Sequence, residues 1–279
     1  MSGNALHFER RGHGPAVMML HGYTGTGRSM GALSRALEFA HETLLPDLPG
    51  HGRSAAAAGH GFEQCLDDLV ATLRGAGHDR AHWLGYSMGA RLALGCALRH
   101  PDCVQSLVLI AGRAGIEDPG ERAARRAADE ALAERVESIG VEAFLEEWLA
   151  QPMFATLARR GPAFMATERR ARAAHDARGL AASLRALGPG AQPPLFAELP
   201  KLRVPVLLIA GALDERFVAI ARDLAARLPR AELCVIEDAG HAVHLEQPES
   251  VRRLVREFLR RSAGPARPIP PNPVQEAAT

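Results

Sequence analysis

The sequence predicts an α/β fold: a mostly parallel sheet with helices on both faces and a helical cap insertion. Three observations predict it. Short apolar runs alternate with segments of helical spacing over residues 1–112 and again over 200–261, the pattern of strands buried on both faces. One run meets one helical segment at Gly85-Tyr86-Ser87-Met88-Gly89, a Gly-x-Ser-x-Gly corner. Residues 113–199 break the alternation. They are rich in Ala, Arg, Glu and Leu, contain no convincing strand, and read as a helical insertion over the strand ends, where binding elements collect.

The elements follow in order. Ala16 to Leu20 is an apolar strand ending in His21-Gly22. Glu42 to Pro46 is the next, leading into a loop of turn residues, Asp47-Leu48-Pro49-Gly50-His51-Gly52. Phe62 to Arg74 has helical spacing. Ala81 to Leu84 is short and mostly apolar, and Ala90 to Leu98 is rich in Ala and Leu, so a strand and a helix flank Ser87. Ser106 to Ala111 is another buried strand; Val204 to Ala210 and Leu233 to Ile236 supply two more after the insertion. The last helix runs from Pro248 to Arg261. Residues 262–279 are Pro-rich with little to bury and are expected to be disordered.

The 279 residues fit one large α/β domain with an inserted subdomain, and a hydrophobic content of 47% supplies a sizeable core. Thirty-three basic residues are interspersed with 32 acidic ones for a net charge of +1, which gives no support for nucleic-acid binding as the main role. Lys201 is the only lysine, a compositional bias rather than a chemical signal. Cys65, Cys96, Cys103 and Cys234 form no Cys-x-x-Cys pair, so neither a zinc ribbon nor a redox pair is indicated and no metal or cofactor is expected. No apolar run approaches the roughly 20 residues that span a bilayer, and Met1 to Gly14 lacks a signal-peptide apolar stretch. The expectation is a cytoplasmic protein, monomeric or a small homo-oligomer.

A serine at a strand-to-helix corner sits on a strained turn that only small neighbours allow to close, and its hydroxyl stands at the positive end of a helix. Activating it needs a base, and the base needs an orienting acid. In an elbow fold these follow in the order serine, acid, histidine. Asp214 lies just after the strand Val204 to Ala210, and His241 just after Leu233 to Ile236, both on the edge that carries Ser87. His244 and Glu246 are neighbouring alternatives, His244 reading as locally packed. Asp238 precedes His241 too closely to orient it from the other side. An oxyanion hole needs two backbone N–H groups aimed at one point. Met88 supplies one, and the His21-Gly22-Tyr23-Thr24-Gly25 loop supplies the other from Tyr23. His21 and the Gly50-His51-Gly52 turn read as structural.

Two arginines do not look like surface charge. Arg91 lies four residues after Ser87 on the same helix, so its side chain leans back toward the hydroxyl, or else sits in a buried ion pair. Asp118-Pro119 reads as a helix cap with a first-turn proline, which puts Arg122 where a cation opposes the helix dipole. That position asks for a compensating ligand, or for Glu121 or Asp118. Arg172 competes with Arg169, Arg170 and Arg178 for a similar role. Guanidinium groups clustered at a nucleophile imply a polyanionic small-molecule substrate.

With these motifs the chain resembles the 2-succinyl-6-hydroxy-2,4-cyclohexadiene-1-carboxylate synthases of menaquinone biosynthesis, members of the α/β-hydrolase superfamily. The resemblance runs from His21 to Pro248. It rests on Gly85 to Arg91, Glu121-Arg122 with Arg125, Trp148 to Phe154, Leu180 to Leu184 leading to Gln192-Pro193, and Asp214-Glu215-Arg216-Phe217. It implies proton abstraction from a cyclohexene ring with expulsion of pyruvate: Ser87 takes the proton, His241 accepts from Ser87, and Asp214 holds His241. The implied substrate is a tricarboxylate, matched to Arg91, Arg122 and Arg172, with Tyr86 and Trp148 as lining residues. The chain departs from the family at Tyr23-Thr24, Met88, Arg113 and Ala173-Ala174-His175. The alternative is a serine hydrolase acting on esters or C–C bonds with the same triad.

Overall fold

The computed structural model describes residues 4–54 and 61–262. Its strands in chain order are β1 (Phe8–Arg11), β2 (Ala16–Leu20), β3 (Glu42–Pro46), β4 (Ala81–Tyr86), β5 (Val104–Ile110), β6 (Val206–Gly211) and β7 (Ala231–Ile236). They form one sheet in the order β1-β3-β2-β4-β5-β6-β7, parallel except for β1, which runs antiparallel to β3. The six parallel strands correspond to the six apolar runs read from the sequence. Strand β1 escaped that reading because it is an edge strand of sequence Phe-Glu-Arg-Arg, and a half-exposed, charged edge carries no apolar signature.

The helices are α1 (Gly31–Arg35), α2 (Phe62–Gly75), α3 (Met88–Arg99), α4 (Pro119–Leu149), α5 (Pro162–Ala173), α6 (Ala177–Leu187), α7 (Glu215–Arg227), α8 (Val243–Glu246) and α9 (Pro248–Ser262). Alternate side chains of the central strands feed two cores. Met18, Leu20, Trp83, Leu107 and Leu208 pack on one face with Leu66, Leu69 and Leu73 of α2 and Leu92 of α3. Val17, Met19, Leu84, Val108 and Leu207 pack on the other with Val251, Val255 and Phe258 of α9. Burial on both faces is why β2, β4 and β6 read as continuous apolar runs rather than alternating ones. Among the described residues no helix is long and apolar enough to cross a membrane.

Between β5 and β6 the described chain makes helices and no strand. The Asp118 carboxylate caps α4 by accepting the Glu121 N–H at 2.7 Å, with Pro119 in the first turn. Gly140 (φ 79°, ψ 168°) breaks α4 into two helical pieces. The second piece turns Phe144 and Trp148 inward to join the α9-side core. The last helix extends to Ser262, one residue beyond its expected end, and the rest of the tail expected to be disordered lies outside the described residues.

The corner between β4 and α3 fixes the whole edge. Ser87 has φ 51° and ψ −106°, and its N–H donates to the Ile110 carbonyl of β5 at 2.9 Å. A Cβ on Gly85 would stand 2.2 Å from the Gly89 carbonyl oxygen, and one on Gly89 would stand 2.2 Å from the Leu20 carbonyl oxygen. Those neighbours are backbone and cannot rotate away. Gly89→Ala should therefore destabilise the fold by about 2 kcal/mol or more. Urea unfolding measures this, and a midpoint equal to that of the parent would contradict the packing described.

Candidate active site

Three loops at the carboxyl edge of the sheet converge on Ser87. Asp214 follows β6 and caps α7, its Oδ1 accepting the Phe217 N–H at 3.3 Å. Its Oδ2 lies 2.8 Å from Nδ1 of His241, and Nε2 of His241 lies 3.1 Å from Oγ of Ser87. His241 is buried, with Phe217 edge-on at 4.6 Å between ring centroids. With the carboxylate accepting from Nδ1–H, Nε2 is left free to accept the serine proton. Of the rivals, Asp238 is exposed in a left-handed turn (φ 56°). His244 packs 4.4 Å from the Tyr86 ring, and burial depresses its pKa to about 3. Glu246 does something the sequence did not announce. Its two oxygens accept the N–H groups of Gly240 (2.9 Å) and Ala242 (3.1 Å), clamping the backbone on either side of His241.

The other half of the edge is held by three buried imidazoles. His51 Nε2 accepts the Thr24 N–H at 3.2 Å, and its Nδ1–H donates to the Pro49 carbonyl at 3.1 Å. His21 Nε2 accepts the Leu48 N–H at 2.9 Å, and its Nδ1–H donates to the Gly22 carbonyl at 2.8 Å. His175, from the turn between α5 and α6, accepts the Gly52 N–H at 3.1 Å and donates to the Thr24 carbonyl at 2.8 Å. The rings meet edge to face, 5.0 Å from His21 to His51 and 5.3 Å from His51 to His175. Together they fix the loop carrying Tyr23 and hold Thr24 at φ 64°. Each ring must stay neutral to accept its N–H bond, and burial pushes all three below the ordinary histidine value, His21 to about 4. The Met88 N–H opens α3, where first-turn amides have no intrahelical acceptor.

A cavity of about 260 Å³ opens on Ser87 and His241. Tyr23, Tyr86, Met88, Arg91 and Trp148 line it, as do Met153 and Phe154. Helices α4 and α6 wall its far side through Leu132 and Leu184. Arg91 is 5% exposed and is held by carbonyl oxygens, donating to Gln192 Oε1 at 3.1 Å and the Leu187 carbonyl at 2.7 Å. It makes no ion pair among the described residues, so the buried ion pair weighed as its other role is absent there. Burial pulls its pKa down to about 9. The Asp129 carboxylate offsets this only through space, so the desolvated cation is incompletely compensated in the free protein.

The other two predicted arginines sit elsewhere. Arg122 is not brought to the cavity. Its Nη1 donates to the Ile116 carbonyl at 3.0 Å and the Glu117 carbonyl at 3.4 Å, so the loop before α4 satisfies the charge that its first-turn position leaves unmatched. Arg172 is buried but pairs with Glu168 and touches Thr24 Oγ1 at 3.3 Å, outside the cavity lining. In their place stand Arg113, Arg125 and Arg216. Arg125 is one turn along α4 from Arg122, its Nε on Asp129 at 2.7 Å. Sequence spacing puts Arg122 and Arg125 on neighbouring positions of one helix but does not say which overhangs the cavity; the docking of α4 decides that.

Residues 15–248 match the family described as alpha/beta hydrolase fold. The 2-succinyl-6-hydroxy-2,4-cyclohexadiene-1-carboxylate synthase of Serratia proteamaculans (strain 568) is 34% identical over 249 residues, covering 88% of this chain and 93% of the relative. The chain belongs to this synthase family. A synthase of the same name from Enterobacter sp. (strain 638) is 33% identical, covering 88% of this chain and 92% of its own. Among solved structures, MenH from S. aureus superposes with a TM-score of 0.88 at 26% identity, covering 92% of this chain and 99% of that one.

The buried imidazoles give the synthase fold a defined acid sensitivity. Between pH 6.5 and about 4 the unfolded chain takes up protons that folded His21 excludes, so stability falls as pH is lowered through that window. Urea unfolding at about pH 7.5 and about pH 5 should show the loss, on the order of 1 kcal/mol or more. A flat profile would reject neutral rings in the folded state.

Proposed function

We propose that this chain is a lyase that eliminates pyruvate from 2-succinyl-5-enolpyruvyl-6-hydroxy-3-cyclohexene-1-carboxylate to give 2-succinyl-6-hydroxy-2,4-cyclohexadiene-1-carboxylate. One observation carries the reading beyond family membership: Arg91 is buried on the cavity that opens on Ser87 and His241, hydrogen-bonded to carbonyl oxygens and with no carboxylate in contact among the described residues. A site for neutral esters gains nothing from such a cation, whereas a polycarboxylate completes it. Arg113, Arg125 and Arg216 on the same cavity add to that field.

In this mechanism His241, oriented by Asp214, draws the proton from Ser87 Oγ, and the oxygen takes a proton from a ring carbon. The electrons of that C–H bond form the new ring double bond and shift through the existing one. The C–O bond to the enolpyruvyl group then breaks. The departing enolate takes a proton, relayed from His241, and leaves as pyruvate. Ser87 thus acts as a base rather than a nucleophile. Negative charge that develops on the substrate is stabilised by the Met88 and Tyr23 N–H groups, where losing one such donor typically costs about 10²–10³ in rate. Tyr86 and Trp148 would exclude water and hold the ring flat against Ser87. The substrate is a diffusible polycarboxylate, and we read the enzyme as cytoplasmic.

A second reading, hydrolysis of an ester or C–C bond, uses the same three residues. It is favoured by the likeness to a thermophilic esterase from Thermogutta terrifontis, 29% identical with a TM-score of 0.80 and covering 93% of this chain and 94% of that one. A coupled assay of pyruvate release separates the two. The parent protein should release pyruvate, and Ser87→Ala should lower kcat by about 10³-fold or more while leaving the unfolding midpoint unchanged within error. A protein that cleaves simple esters and releases no pyruvate would overturn the lyase reading. Arg91→Ala should raise KM for the tricarboxylate by about 30-fold or more, and Arg125→Ala should raise it more than Arg122→Ala does. Equal KM values across the three would remove the electrostatic basis of the assignment.

A further inference from the structure

Arg113, in the loop after β5, and Arg216, in the first turn of α7, stand at the carboxyl edge of the sheet. Arg113 lies just beyond the end of β5 and Arg216 just beyond the end of β6, and these two strands pair directly. Both side chains line the Ser87 cavity, and Arg216 is exposed at its rim. Arg113 uses only its Nε, on the Gly115 carbonyl at 3.0 Å, which leaves both terminal nitrogens without a partner among the described residues. The Arg216 side chain makes no hydrogen bond or ion pair among the described residues. Asp214 is committed to His241, and Asp129 to Arg125 and the Gly190 N–H at 2.9 Å; Glu121 acts on Arg113 through its charge without a hydrogen bond to it. Burial first, then the charges of Arg216 and Arg125, hold Arg113 down at about 10. Like charges facing one another across a half-dry cavity repel, and an anion seated between them removes that repulsion.

Resting on the lyase reading above, we infer that Arg113 and Arg216 form a clamp for a second carboxylate of the substrate, one remote from the carbon that loses its proton and separate from the inner group met by Arg91 and Arg125. The clamp discriminates by charge number. A monocarboxylate fills one of the two subsites, and a molecule bearing two or more separated carboxylates fills both. Because Arg216 faces solvent, the clamp is also the first cationic pair that an incoming anion meets, and its contribution weakens with salt. Two groups of the proposed substrate could occupy it, the succinyl carboxylate or the carboxylate of the enolpyruvyl group.

Titration calorimetry on the full chain at low ionic strength, with succinate and separately with pyruvate, tests the clamp. Arg113→Gln, Arg216→Gln and the double variant are compared with Arg256→Gln on the distant α9, a control for net charge. The double variant should lose about tenfold or more in affinity for one of the two anions, and the anion affected identifies the arm that is held. Arg256→Gln should bind both as the parent does. In steady state the clamp variants should raise KM with kcat within about twofold, and Arg113→Lys should recover part of the loss. Unaltered binding of both anions in the double variant, no binding of either to the parent, or a fall in kcat at constant KM would each overturn the clamp. The titration reads simple anions, so its failure is separable from failure of the parent protein to release pyruvate.

Discussion

Everything at the site hangs on how closely three backbones approach at one corner. Gly85 and Gly89 let β4, the first turn of α3 and the end of β2 pack at distances that exclude any side chain. That contact holds Ser87 in a left-handed conformation and anchors its N–H on β5. The strain is local, and the surrounding sheet over-determines it. In return the hydroxyl projects from the sheet edge at the head of a helix, within reach of His241.

The partners of Ser87 are then positioned by groups that never touch a substrate. Glu246 pins the backbone on both sides of His241, and three neutral imidazoles pin the loop that bears Tyr23. His175 adds a link of its own kind. It comes from the helical segment between β5 and β6, yet it bonds the Thr24 carbonyl and the Gly52 N–H of the sheet-edge loops. The seating of that segment and the geometry of the oxyanion loop are therefore coupled through one side chain. Proton-dependent bonds are used here in a dry setting, where each ring is satisfied at both nitrogens and exchange of tautomer would cost two bonds at once.

Charge is arranged on the opposite principle. The histidines are satisfied; of the cavity arginines, Arg125 pairs with Asp129, while Arg91, Arg113 and Arg216 touch no carboxylate among the described residues. Arg91 hydrogen-bonds to carbonyl oxygens, and Arg113 and Arg216 line the same cavity with their like charges acting on one another. Such an arrangement weakens the unliganded protein and is retained where a ligand supplies the missing charge. Four arginines on one cavity, Arg91, Arg113, Arg125 and Arg216, give the site a positive field.

Much of this was legible in the sequence, for identifiable reasons. Strands buried on both faces leave continuous apolar runs, so the six parallel strands were readable, whereas the edge strand β1, with its two arginines, was not. The corner motif, the order of Ser87, Asp214 and His241, and the placement of the last two after strands were local facts, and the structure brings all three within hydrogen-bond reach. Arg91 was readable because an i to i+4 relation on one helix is fixed by helical geometry. The neutralising partners of Arg122 and Arg172, and the arrival of Arg113, Arg125 and Arg216 at the cavity, depend on how separate elements dock. Sequence by itself determined the residues that are close along the chain or that repeat with a structural period. Only the tertiary structure decided which charges are paired and which face the cavity, because pairing depends on distances between segments that no local pattern encodes.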